Sequence, residues 1–492
     1  MPDDKPLGAG LDWADPRSRL APLYLTPGGV AAVAVFCAAA LVFAAGPLWH
    51  TDFWSHLRYG EVIAAAGRLP DRDPLTPFAA GPPAAGAWLS QLSYHGLIRL
   101  GGPLAGGVEL VRLAHLLAGL ATLGLLALAL RRAGATAGWA AAGAALLAAL
   151  IPGSLAVQRP QLLVLPLFAA VLVALSRPTP TRRAVAWVPL VLLLWANLHG
   201  SFAVGLGIVT LRLLGKLAER DEPAARRLAQ MLLLAVAAAC VNPVGPAVFA
   251  ESVRYAGHPN LRTLAEWQPL HFTLGPGGHR AYLLALALVL TGARRFSRAD
   301  WLVLVPFAVW PLFQQRAFVW LALLAVWLAI PRLSARFPGR PVVPDFRRTA
   351  FAGLLVGLTL VASPAARWLA VGPRPLAAAL HPDTPVEFAA SLGPGGPVFA
   401  SETLGDYLAW AAPHRPVLMT NHAPAFAPDH WRKCLAVKAA EPGWEAALRE
   451  FGATVVVVEA AAHPDLAAAL GAAPGWRVRP DPTGRLLVAT RE

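Results

Sequence analysis

Charge is scarce in this chain. Only 14% of its 492 residues are Asp, Glu, Lys or Arg, while 56% are hydrophobic and the mean hydropathy is +0.52. A soluble domain could not hide that much apolar surface, so the composition leaves a polytopic membrane protein. Acids are the scarcer sign, 28 against 42 Lys and Arg, for a formal charge of +14. In a soluble chain such an excess would point to nucleic acid. Here the basic residues sit in short loops between apolar runs, the positive-inside pattern, and no nucleic-acid partner is expected. Cysteine is nearly absent too. Cys37 and Cys240 fall inside apolar runs and Cys434 near the C-terminus, which excludes a disulfide framework and leaves the compartment unread.

What is present is a series of apolar segments at or near membrane-crossing length. They fall at 28–49, 107–130, 136–154, 160–176, 184–198, 200–215, 228–241, 281–293, 299–313, 317–330 and 349–369. Several are shorter than the roughly twenty residues of an isolated span. The expectation is an α-helical polytopic membrane protein with about eleven transmembrane helices. The first run, Val30 to Leu48, exceeds the roughly 7–15-residue core of a signal peptide. It reads as a retained helix behind a cytoplasmic tail at 1–27, a cleaved signal being the alternative. Alternate connections carry Arg131 and Arg132; Arg177, Arg182 and Arg183; Lys216, Arg220, Arg226 and Arg227; Arg294, Arg295 and Arg298; and Arg336, Arg340, Arg347 and Arg348. Five Arg-rich loops in succession set these connections in the cytoplasm and the C-terminus on the far side of an inner membrane.

The division that follows is a transmembrane domain at 28–370 with outer loops at 50–106 and 242–280, then an outer region at 376–492. In that last region PVFAS, PVLMT and ATVVVVE are β-type runs between helical stretches, and WRVRP and RLLVATR flank a DPTG turn. The alternation predicts a soluble α/β domain with a partly parallel sheet and a closing hairpin.

Polar residues of unusual density collect on the outer side. The first outer loop carries Asp52, His56, Arg58, Glu61, Asp71 and Asp73. Later connections carry Arg159 and Gln161, Asn197 and His199, Thr263, Glu266 and Trp267, and Arg316. Ionisable groups near membrane depth are costly, so the set reads as a site, against the blander reading of solvated or helix-anchoring residues. Tyr59, Val62, Ile63 and Ala66, and again Trp88, Leu89, Leu92 and Leu97, recur at helical spacing. They predict two amphipathic helices lying on the bilayer around a Pro- and Gly-rich loop.

These residues resemble a pattern of the GT-C superfamily of integral-membrane glycosyltransferases. The matching positions are Asp52, Trp54, His56, Leu57 and Gly60; Pro70, Asp73 and Pro74; Trp88 and Leu89; and Arg159, Pro160 and Gln161. Others are Asn197, His199 and Gly200; Asn242, Pro243 and Gly245; Glu266 and Trp267; Arg316; and GDYLAW from Gly405 to Trp410. Ser55 departs from the pattern where a second Trp is common, as does Gly86-Ala87 before Trp88, and the oligosaccharyltransferase W-W-D-Y-G signature is absent.

The resemblance implies transfer of a hexosyl or pentosyl unit from a polyprenyl-phosphate donor to a glycan, lipid or protein acceptor at the outer face. It also implies an essential first-loop acid, Asp52, and a T-I-x-E-like segment at Thr263 to Glu266. On that basis Asp52, His56 and Glu266 are the catalytic candidates. Arg58, Trp88, Arg159, Gln161, Asn197, His199, Trp267 and Arg316 are the substrate-binding candidates. Asp52 would take the acceptor proton, and Arg159, Arg316 and His199 would face the leaving phosphate. Asp71 and Asp73, with Glu266, are the candidates to hold Mg²⁺ or Mn²⁺ through oxygen ligands. Two rivals stand beside this reading: a lipid or glycan transporter or flippase, and a non-catalytic scaffold of envelope glycan assembly.

Overall fold

The computed structural model describes residues 21–45, 51–81, 85–102, 106–272, 278–338, 342–363, 392, 395–480 and 486–491. The tail at 1–20, His50, all of 364–391 and the DPTG turn lie outside them. A helix occupies each of the eleven apolar segments. These are α1 (Pro27–Ala45), α4 (Gly106–Arg132), α5 (Ala137–Leu150), α7 (Pro160–Leu175), α8 (Arg182–Leu198), α9 (Phe202–Ala218), α10 (Glu222–Ala239), α12 (Gly278–Gly292), α13 (Arg298–Val309), α14 (Phe318–Arg336) and α15 (Phe346–Ala362). A one-turn helix α6 (Pro152–Ala156) follows α5. Among the described residues, Pro27–Ala44, Gly107–Arg132 and Gln315–Arg336 are long and apolar enough to cross a membrane by themselves. Helix α14 is apolar all round, and every residue from Val319 to Ile330 is buried. Such a helix belongs inside a bundle, and α4, α5, α12 and α13 pack against it.

Helix α10 begins six residues before its expected start at 228. Asp221 caps it, accepting from Ala224 N at 3.3 Å, with Pro223 in the first turn, so the polar Glu222–Arg227 stretch is helical as well. The Arg-rich end of the bundle also holds buried charge, which the reading of an outer-side collection had missed. Arg212 donates to Asp300 at 2.7 Å, and Arg332 takes the other oxygen of the same carboxylate.

The segment expected to be the first outer loop forms α2 (Thr51–Ala66) and α3 (Trp88–Gly101). The expectation that they lie on the bilayer is corrected. Phe53, Trp54, Leu57 and Tyr59 of α2 are buried in one apolar core with Tyr94, Val108 and Val111 on one side, and Val398, Leu404, Tyr407 and Leu408 on the other. The two helices approach so closely at Gly60 that a Cβ there would stand 2.0 Å from the Gln91 carbonyl oxygen. The outward face at Arg58, Glu61, Val62, Ala65 and Ala66 lines only a shallow groove.

The C-terminal domain completes that sandwich. Its sheet runs in the order β1 (Val398–Ala400), β2 (Val455–Glu459), β4 (Leu486–Arg491), β3 (Trp476–Pro480), with β1 parallel to β2 and the other pairs antiparallel. The partly parallel sheet and the terminal hairpin are as expected. PVLMT is not a strand: it contributes one parallel bridge, Val417 to Val398, and then turns away. Helix α16 (Glu402–Ala411) lies on α2, with the Trp410 and Trp54 rings 4.6 Å apart. The Pro- and Gly-rich loop is tied to the same domain by Thr76 Oγ donating to Val417 O at 2.6 Å and Ala80 N donating to Ala425 O at 2.7 Å.

Candidate active site

Three local devices bring the polar residues to one place. Pro160 is the first residue of α7, and proline there forces the preceding Arg159 into an extended conformation, φ −125° and ψ 154°. The guanidinium therefore leaves the helix mouth sideways, toward α2. Asp52 sits in the first turn of α2, where a carboxylate is favoured by the helix dipole. Glu266 and Arg316 ride on two short 3₁₀ turns, Ala265–Trp267 and Gln315–Ala317. Gln315 N donates to Gln268 O at 2.9 Å, and the Gln315 amide reaches Ala265 O, so the two turns are held as one unit.

The result is a continuous charged chain. Arg159 Nε lies 3.2 Å from Asp52 Oδ2, and its Nη1 lies 2.5 Å from Glu266 Oε2. Arg316 Nη1 reaches the other Glu266 oxygen at 3.1 Å, and the Arg316 guanidinium stacks over the Trp267 ring at 4.5 Å. Burial pushes the Glu266 carboxyl up, but Arg316 and then Arg159 outweigh it and hold it below the usual carboxylate range. Burial works against the Arg159 charge as well, yet Asp52 and Glu266 hold the guanidinium above its ordinary value. Two acids and two arginines thus face one another in a half-buried setting.

His199 ends α8 beside this chain. Its Nδ1 accepts from Ser201 N at 3.1 Å and faces Ser201 Oγ at 2.8 Å, which leaves Nε2 to carry the proton of the neutral ring. Burial first, then Arg316 and His56, push this imidazole down to about 3. It is a neutral donor at physiological pH. His56 lies one turn beyond Asp52, facing Gln91 Nε2 at 3.3 Å. Gln161 is half-buried in the first turn of α7.

Other expected residues have different tasks. Asn197 accepts from Trp88 Nε1 at 2.8 Å and donates to Leu193 O and Val241 O at 2.8 and 2.9 Å. Its amide and the Trp88 indole brace α3 against α8, which uses the groups they would offer a substrate. Arg58 pairs with Glu61 at 3.1 Å on the groove side of α2. The structure does not bring Asp71, Asp73 and Glu266 together. Asp71 is exposed and paired with Arg68, whereas Asp73 accepts from Tyr59 Oη at 2.6 Å and Leu75 N at 2.8 Å. Among the described residues no group of three His, Cys, Asp or Glu is arranged to hold a metal ion. The DRD acids therefore order the loop, and do not fit the metal set expected of them.

Four site residues escaped the sequence reading. Asn421 of the C-terminal domain donates its side-chain amide to Asp52 Oδ1. His422 faces Tyr59 Oη through Nδ1 at 2.9 Å, and its ring lies 6.0 Å from that of Tyr255. Tyr255, on α11 (Ala247–Ala256), is pushed up to about 12 by burial and offers a neutral hydroxyl between Trp267 and His422. Asp406 of α16 lies fully buried beneath Asn421. The only signal was a polar Thr-Asn-His directly after the apolar Pro-Val-Leu-Met run, together with Asp406 inside GDYLAW.

No protein-family model matches the chain, and no curated protein is similar to it in sequence. Solved structures do match in shape. The oligosaccharyltransferase AglB of Archaeoglobus fulgidus, in complex with an inhibitory peptide and a dolichol-phosphate, aligns with a TM-score of 0.57 at 15% identity, over 94% of this chain and 74% of its own. ArnT from Cupriavidus metallidurans bound to undecaprenyl phosphate aligns with a TM-score of 0.53 at 17% identity, over 94% and 97%. The arabinofuranosyltransferase AftD from Mycobacteria gives 0.56 at 17% identity, over 95% of this chain and 40% of that one. The chain therefore shares its fold with these three structures. At such identities the likeness shows the fold alone, and the chemistry must be argued from the residues.

Proposed function

We propose that the protein is a multi-pass glycosyltransferase of the bacterial inner membrane, with about eleven spans, the Arg-rich loops in the cytoplasm and the α/β domain in the periplasm. It transfers a sugar from a polyprenyl-phosphate donor to a hydroxyl of a periplasmic or lipid-linked acceptor. The observation that carries the reading is Arg159 held between Asp52 and Glu266, with Arg316 on the far side of Glu266. A general base and two phosphate-facing cations then stand within one side chain's reach of each other. Three of the aligned structures support the type of donor by analogy, being a dolichol-phosphate complex, an undecaprenyl phosphate complex and an arabinofuranosyltransferase.

The chemistry follows from the charges. Before substrate arrives, two carboxylates and two guanidiniums neutralise one another. A donor phosphate entering at Arg159 and Arg316 competes with Asp52 and Glu266 for the guanidinium N–H groups. As Arg159 turns to phosphate, Asp52 loses a cationic partner and becomes more basic. The acceptor oxygen attacks the anomeric carbon, its proton passes to Asp52, and the bond from sugar to phosphate oxygen breaks. The lipid phosphate leaves with the electron pair and gains charge, which Arg159, Arg316 and the His199 Nε2–H stabilise. Asp71, Asp73 and Glu266 stand apart, so no step is routed through an Mg²⁺ or Mn²⁺ held by them. A panel of polyprenyl-phosphate pentoses and hexoses, offered to purified protein in lipid nanodiscs, tests the reading. Turnover of at least one donor to lipid phosphate is expected, and hydrolysis or transfer of none would overturn it.

A further inference from the structure

We propose that Asn421 is a positioning residue for the Asp52 carboxylate, delivered to the site by the C-terminal domain and locked there by the Asp406 carboxyl beneath it. This deepens the proposed transfer and rests on Asp52 being its base. The contact joins residues 369 positions apart, so it is a tertiary device and not a local turn.

The geometry that produces it is specific. Helix α16 meets the chain after Val417 so closely at Gly405 that a Cβ there would stand 2.0 Å from Met419 O. That approach presents Asn421 N to Asp406 Oδ1, a hydrogen bond of 3.0 Å. Asp406 has no accessible surface, and among the described residues its second oxygen, Oδ2, accepts no hydrogen bond. The nearby Ser55 hydroxyl has a single proton, and it goes to Asp52 O at 3.0 Å. Burial, and after it the Asp52 charge, push the Asp406 carboxyl well above its usual range. In that place it accepts from the Asn421 backbone and holds the segment that carries the Asn421 side chain.

Asn421 then fixes one carboxylate oxygen of Asp52 while Arg159 holds the other. An anion that draws Arg159 away would leave the Asn421 hydrogen bond on Asp52 in place. Besides Arg159, the titratable groups that feel Asp52 are Tyr94 on α3, Glu266 and His199 at the bundle end, and Tyr255 on α11. From the C-terminal domain they are Asp406 and His422.

The test uses the whole chain in nanodiscs, with two readouts. The first is thermal unfolding of Asn421→Asp and of the swap Asn421→Asp with Asp52→Asn. Asn421→Asp sets carboxylate against carboxylate, which raises the folded-state pKa of that pair. Its stability is then fullest in acid and is lost as pH rises through the raised value. The deficit against wild type should be larger at about pH 8 than at about pH 5, and the swap should remove it. A swap that unfolds like Asn421→Asp at both pH values would show that the contact does not exist. The second readout is the pH profile of transfer, with the most active polyprenyl-phosphate sugar, by Asn421→Ala. Losing a donor to the charged carboxylate should move the acid limb upward and lower kcat more than it changes KM. An unmoved acid limb with ordinary kcat would reduce Asn421 to a packing residue and overturn the proposal. Absence of transfer in the wild type would instead count against the glycosyltransferase reading, and leave the unfolding result to decide the contact.

Discussion

Glu266 is shared by two guanidiniums, and its loss separates electrostatics from packing. Glu266→Gln keeps the shape but removes the charge that Arg159 and Arg316 both rely on. Transfer should fall at least roughly tenfold. Stability should fall by no more than about 1–3 kcal/mol, since solvent screens a carboxylate that is one-third exposed. Melting in detergent beside initial-rate assays checks both. His199 makes a prediction with a definite sign. Its folded-state pKa of about 3 lies below the ordinary histidine value, so the unfolded chain binds a proton that the folded chain refuses. Stability is therefore full above about pH 6.5 and declines as pH falls toward 3. In His199→Gln that decline should be shallower by up to one proton, measurable from unfolding midpoints across that range. Residue types at this level were legible: Asp52, Arg159, His199, Glu266 and Arg316 announce themselves as ionisable groups beside apolar runs. Asn421 and Asp406 did not, because their role depends on a contact that no local spacing encodes.

Helices and turns set these side chains within hydrogen-bond reach, and glycine decides how near they come. At Gly405 a methyl group would meet the Met419 carbonyl, which is backbone and cannot swing aside. Gly405→Ala should cost about 1–3 kcal/mol as an overpacking change. It should also depress transfer more than a substitution of equal stability cost in the membrane bundle, because it moves Asn421. Parallel melting and rate measurements would show this, and a rate loss no larger than in the stability-matched bundle variant would contradict it. The eleven helical segments were readable from apolar length, and the caps at Asp221 and Arg159 explain where boundaries differ or function intrudes. The fate of α2 and α3 was not readable. Their apolar faces fit a bilayer surface as well as a protein core, and only the partner on the other side, α16, decides between them.

The molecule as a whole has an Arg-rich end and an end that holds the proposed site, with the C-terminal domain closed over the latter. The proposed topology requires both Asn421 and the C-terminal strands to face the periplasm. A reporter active only in the periplasm should signal when fused after Glu492 and stay silent when fused near Arg220. The reverse pattern would remove the site from the face where a polyprenyl-linked donor is expected. That a sheet follows the bundle was legible from the β-type runs; that it closes over Asp52 was not, since only the folded chain joins the two ends of the sequence. The central claim is that Asp52, steadied by Arg159 and Asn421, accepts the acceptor's proton, and Asp52→Asn measures it most directly. The variant keeps the size and most hydrogen bonding of the side chain, so membrane insertion and donor binding should be preserved. With the polyprenyl-phosphate sugar that wild type uses best, transfer at matched protein concentration should fall roughly 10²-fold or more. Near-normal turnover by Asp52→Asn would contradict the account.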